Sequence, residues 1–190
     1  MISKIFFPLF IIISILPACI TKVYKSDFVA KPGKIEKHTS LKLPGAYYNI
    51  EKNTKTLSIF FFYENQLQRS MIFDTNHYVR DKIQQSINSA VKEFQQSNKK
   101  EYEYFEDGGF QINDTEIKIQ GIRYIPQFSW GTVTNKGTII NDTTILITEF
   151  THHQRKIHKA DSLYYHFILT DKPDSLKGNR WRNKKWYWNN

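Results

Sequence analysis

The chain carries the same eleven-residue pattern twice. Gly109-Phe110-Gln111-Ile112-Asn113-Asp114-Thr115-Glu116-Ile117-Lys118-Ile119 and Gly137-Thr138-Ile139-Ile140-Asn141-Asp142-Thr143-Thr144-Ile145-Leu146-Ile147 both read G-x-x-I-N-D-T-x-I-x-I, with starts 28 residues apart. The flanking runs alternate as strands with one buried face do, and Asn-Asp between them tolerates the positive φ of a tight turn. Each copy therefore predicts a β-hairpin. Two hairpins in succession commit this half of the chain to an antiparallel meander, and two copies are too few for a solenoid.

The rest of the chain agrees with that class. Thr56 to Tyr63 (TLSIFFFY) and Leu67 to Phe73 flank the polar Glu64-Asn65-Gln66, which predicts another hairpin. Ile59 to Tyr63 is apolar at every position, as expected of a strand buried on both faces. Further strands are expected at Ile122–Ile125, Phe128–Thr134 and Leu163–Leu169. Between the two hairpin regions the period changes. Val79, Ile83, Ile87, Ala90, Val91 and Phe94 fall on one face of a helix over about 77–98, capped by Asp74, Thr75 or Asn76, with its stripe covering a sheet or barrel edge. The expected fold is mainly β: an antiparallel meander closing into a barrel or a sandwich, with one amphipathic helix. The last aromatic segment, Asn179 to Trp188, reads either as a closing strand or as an aromatic-basic patch facing headgroups or a glycan.

Composition narrows the partners. Of 190 residues, 40% are hydrophobic and 15% aromatic, which is enough for a core without staples. The net charge of +9 is either a solvated Lys-rich surface or an attraction to something anionic: lipid headgroups, a phosphorylated glycolipid or nucleic acid. There is a single cysteine, Cys19, so no internal disulfide is available.

Cys19 ends an apolar run. Lys4 precedes Ile5 to Leu16, a stretch too short for a bilayer span of about 20 residues but suited to a signal peptide. Leu16-Pro17-Ala18-Cys19 resembles a lipobox, with Pro17 where a small residue is usual. The resemblance implies a bacterial lipoprotein: residues 1–18 are a signal peptide, and Cys19 becomes the lipidated N-terminus, palmitate or another acyl chain holding it on a membrane. Ile20 in place of Asp implies the outer membrane, and the basic Thr21-Lys22-Val23-Tyr24-Lys25 the periplasmic face. Export removes nucleic acid from the expected partners. Residues 19–42, rich in lysine, read as an extended tether, and residues 43–190 as a single β-rich domain.

Leu43-Pro44-Gly45-Ala46-Tyr47-Tyr48 and the two Gly…Ile-Asn-Asp-Thr…Ile hairpins resemble the lipocalin-like domains of bacterial lipoproteins over roughly residues 43–170. That likeness implies an up-and-down barrel whose mouth takes a small apolar ligand. It transfers no ligand-binding residue.

Signs of chemistry are sparse. His152, His153, His158 and His166 lack the spacing of a zinc site. Glu103 and Glu106-Asp107 do not differ by spacing from solvated carboxylates. Gly108-Gly109 lacks the helix and Lys-Ser/Thr of a phosphate loop. No nucleophile elbow is present. The expectation is a non-enzyme without cofactor, metal or catalytic residues. It binds a small apolar or amphipathic ligand, or else has a filled core and works through another envelope protein.

Overall fold

Both copies of the repeated pattern form hairpins. In a computed structural model, which describes residues 22–23, 28, 40–51, 56–74, 82–96, 105–125, 129–170, 181 and 183–188, they are β5 (Phe105–Asn113) with β6 (Glu116–Ile125), and β7 (Ser129–Asn141) with β8 (Thr144–His152). Asp114 takes a φ of 53°, the left-handed conformation that the Asn-Asp pair was expected to allow. The second turn is held differently: Asn141 Oδ1 accepts from the Thr143 amide at 3.0 Å.

Before them come β1 (Lys22–Val23), β2 (Gly45–Glu51), β3 (Thr56–Phe62), β4 (Leu67–Asp74) and helix α1 (Ile83–Gln96). After them come β9 (Ile157–Ile168) and a helical turn, α2 (Lys185–Trp188). Each strand from β2 to β9 pairs antiparallel with the next, and β9 returns to β2 through Ala46↔Ile168, Tyr47↔Phe167 and Tyr48↔His166. The meander is thus an eight-stranded up-and-down barrel, not a sandwich, of lipocalin-like architecture, and among the described strands only β1 lies outside the closed ring.

Strand alternation sorts the side chains into two layers. Tyr47, Phe60, Phe62, Phe110, Ile117, Ile119, Ile139 and Ile145 fill the barrel interior. Leu57, Ile59, Phe61 and Met71 face outward, yet they too are buried, because Ile87 and Val91 of α1 pack over them. That is why Ile59 to Phe62 of β3 are apolar at every position. The helix is described from Ile83 to Gln96; positions 77–81 and 97–98 of the expected helix lie outside the described residues.

Several expectations change in extent. Ile122–Ile125 and 129–134 are not separate strands but the far ends of β6 and β7, and β9 begins at Ile157, well before Leu163. The C-terminal segment is no closing strand. Lys185–Trp188 is helical, Tyr187 donates from its hydroxyl to the Gly108 carbonyl at 3.0 Å, and Trp181 meets Trp130 edge to face at 5.3 Å. Among the described residues the expected tether is docked: Lys22–Val23 pair in parallel with Ser129–Trp130, Phe28 stacks on Tyr187 at 5.7 Å, and Leu41 is buried at one barrel end.

Candidate functional site

The two ends of the barrel differ. At the end holding the β3–β4, β5–β6 and β7–β8 turns, aromatic rings close the interior. Tyr47 lies 5.6 Å from Phe62 and 5.5 Å from Phe167, and Phe62 lies 4.7 Å from Phe110. The Tyr47 hydroxyl donates to the Asp142 carbonyl at 2.7 Å and to Lys42 O at 3.1 Å, so the β7–β8 turn and the incoming chain are drawn together across this end. Burial pushes the Tyr47 phenol well above its ordinary pKa and keeps it a donor.

At the opposite end the inward positions turn polar and a cup of 230 Å³ opens. Its floor is Phe60, Tyr165 and Ile147, with Phe60 and Tyr165 4.8 Å apart. Its wall is built by alternation from the same faces that pack the closed half. From Phe60 inward parity leads to Ser58 on the same strand and to Ser70 across the ladder, from Phe110 through Gly108 to Glu106, and from Ile119 through Gly121 to Arg123. Asn135, Phe150 and Leu163 complete the wall, and Glu51, Ile72, Lys159 and Asp161 stand at the rim.

An ion pair dominates the wall. Arg123 Nε bonds to Glu106 Oε1, and Ser70 Oγ donates to Glu106 Oε2 at 3.4 Å. The guanidinium lies 5.6 Å from the Phe150 ring centroid, within cation–π range. Among the described residues its Nη groups have no protein hydrogen-bond partner, so N–H donors remain available at the cup. Gly121 makes room for this arrangement: a Cβ there would sit 3.1 Å from Gln68 Nε2 and 3.3 Å from Glu106 Cβ. Burial, with the charges of Glu106 and Glu51 added to it, pushes the Tyr165 phenol up to about 12, against the Ser58 hydrogen bond that lowers it. The cup therefore offers aromatic surface, neutral hydroxyls and one neutralised charge pair. That chemistry holds a molecule with an apolar body and a hydrogen-bonding end.

The residues singled out from sequence scatter. Cys19 and Glu103 lie outside the described residues. Glu106 enters the cup, but its neighbour Asp107 faces outward and bonds Arg69 at 2.6 Å, so alternation separates these two carboxylates. His152 is buried with Nδ1 unpartnered, and burial, with Arg123 and Arg155 nearby, lowers its pKa. His153 shares a 2.8 Å hydrogen bond with Thr134, His158 one of 3.1 Å with Thr151, and His166 stands edge-on to Tyr48. Among the described residues no group of three or more His, Cys, Asp or Glu side chains is placed to hold a metal ion, and no helix is long and apolar enough to cross a membrane. Gly108 serves packing, since a Cβ would lie 1.8 Å from Gln120 O. Sequence reasoning missed Arg123, Ser70 and Asn135. The signal for Arg123 was its parity: it continues the inward series Ile117, Ile119, Gly121.

Fold and cup together define a class, the lipocalin-like eight-stranded barrel with one end packed shut and the other open. No protein-family model matches the chain, and neither does any curated protein or solved structure.

Proposed function

We propose that this chain is a lipoprotein of the cell envelope, anchored through Cys19 on the periplasmic face of the outer membrane, whose barrel binds a small amphipathic ligand in its open half. The observation that carries the binding reading is the cup itself: 230 Å³ above an aromatic floor, with Arg123 donors exposed in its wall. The volume lies below the roughly 300–1,000 Å³ of sites for drug-sized molecules, which favours a small ligand or one projecting from the mouth. A neutral polar end suits it best. Glu106 already neutralises Arg123, and the rim carboxylates Glu51 and Asp161 oppose an anionic head.

The packed closed half favours a second reading, an envelope lipoprotein acting through a protein partner. Native mass spectrometry of the mature protein from an envelope extract separates the two. Under the binding reading a small molecule co-purifies and is lost from Asn135→Phe, which fills the cup. An empty protein that also fails to bind a neutral fluorescent naphthylamine at the same site would overturn the ligand reading. Mass analysis of the mature N-terminus tests the anchor: a chain beginning before Cys19 and bearing no acyl group refutes it.

A further inference from the structure

The open end of the barrel is also where the chain arrives from Cys19. β1 runs parallel to β7, with Lys22 opposite Ser129, the first residue of β7 at the open end. β8 stops at His152, opposite Val133, so β1 takes the place along β7 that β8 vacates, about 10 Å further out at strand spacing. Two residues, Ile20 and Thr21, separate Cys19 from Lys22, and the three Cα–Cα steps between them span at most about 11 Å even when fully extended. The barrel is about 30 Å tall, from the 13 residues of β7 and the usual strand tilt. A membrane holding Cys19 therefore lies within reach of the mouth and out of reach of the closed end.

The same end carries a protrusion suited to such a surface. The β8–β9 hairpin turns through Lys156 at a φ of 52° and is tied to the barrel by His153 N donating to Thr132 O at 3.1 Å. Arg155, Lys156 and Lys159 are all exposed, Ile157 is exposed among them, and no acidic residue falls between Thr151 and Ala160. The nearest acids, Glu51, Glu149 and Asp161, line the cup; Glu149 is paired with Lys136 at 2.8 Å, and Asp161 Oδ1 accepts from the Ser162 amide at 2.7 Å.

We propose that this hairpin is a docking surface for an anionic phospholipid membrane, on which the barrel stands mouth-down so that the cup exchanges its ligand with the bilayer. The orientation rests on lipidation of Cys19; the hairpin's affinity for anionic lipid does not, and the test treats them separately. The mature chain, residues 19–190 with Cys19→Ala, is sedimented with vesicles of phosphatidylcholine alone and with 30 mol% phosphatidylglycerol. Binding is expected only to the anionic vesicles, weakened about fivefold for each cation neutralised, so that Arg155→Gln, Lys156→Gln and Lys159→Gln together cost on the order of a hundredfold. Position is read with an environment-sensitive fluorophore on Ile157→Cys and, at the closed end, on Thr115→Cys. A blue shift at 157 alone supports the docking surface. Equal shifts at both ends, no binding to anionic vesicles, or full binding by the triple variant overturns it. An unacylated Cys19 in the native mature protein would remove the anchor and the lipoprotein reading while leaving the vesicle result to stand or fall by itself.

Discussion

Arg69 and Asp107 offer the sharpest test of how the outer layer is held. They are direct cross-strand partners in the β4–β5 register, joined by Nε–Oδ1 at 2.6 Å and Nη2–Oδ2 at 3.3 Å, with side chains only 1% and 8% exposed. Two opposite charges about 3 Å apart attract by roughly 5–6 kcal/mol at an effective dielectric of 20. Taking each ion out of water costs several kcal/mol, so the pair as a whole contributes little net stability. Removing one member is different, because the other, still buried, loses its ion-pair partner. Arg69→Met is expected to cost about 3–5 kcal/mol, and Asp107→Leu a similar amount. At about 2–4 °C per kcal/mol for a chain of this size, each single variant should melt roughly 6–20 °C below the wild type. The double variant replaces both charges with apolar groups and should recover most of the loss. Urea unfolding of the four proteins, followed by tryptophan fluorescence, closes the cycle. Single variants within 1 kcal/mol of wild type, or a double variant as unstable as the two losses summed, would refute the reasoning.

Three further outcomes follow from the geometry. Tyr47→Phe removes a buried hydroxyl shared by Asp142 O and Lys42 O; about 1–1.5 kcal/mol should be lost, seen as a fall of roughly 2–6 °C in calorimetry. Gly108→Ala should yield little folded protein by circular dichroism, because its Cβ would lie 1.8 Å from the main-chain oxygen of Gln120, which cannot rotate away. His152 titrates below its ordinary value when folded, so its contribution to stability is present above about pH 6.5 and is lost as the pH falls through the lower folded value. Urea midpoints measured from pH 7.5 to 5 should decline, and His152→Gln should decline less.

The hairpins were readable because each is a local statement: alternating apolar residues around Asn-Asp specify strand, turn and facing within eleven residues. The middle of α1 was readable for the same reason, at a different period. Strand ends were under-read where inward positions stop being apolar. Ile157 to Ser162 extends β9 into solvent with mostly polar side chains. The open cup had the same cause. Ser58, Ser70, Glu106 and Arg123 are polar residues at positions whose parity is inward, and that parity is fixed only once Phe60, Phe110 and Ile119 are known to face the barrel. Trp186 and Trp188 suggested a strand by spacing two apart, but that spacing alone does not distinguish an extended run from the helical turn that forms. Closure of the barrel left no local trace, since it joins Ala46 to Ile168 across most of the chain.

That seam bears on how the molecule comes into being. β2 is made early and its final neighbour almost last, so a nascent or truncated chain ending before β9 has a crescent of sheet with bare hydrogen-bonding rims on both sides. Every shortened product is a template for joining another strand, which makes premature termination more hazardous here than in a helical bundle. A chain released whole before its strands pair meets its closing partner before a stranger does.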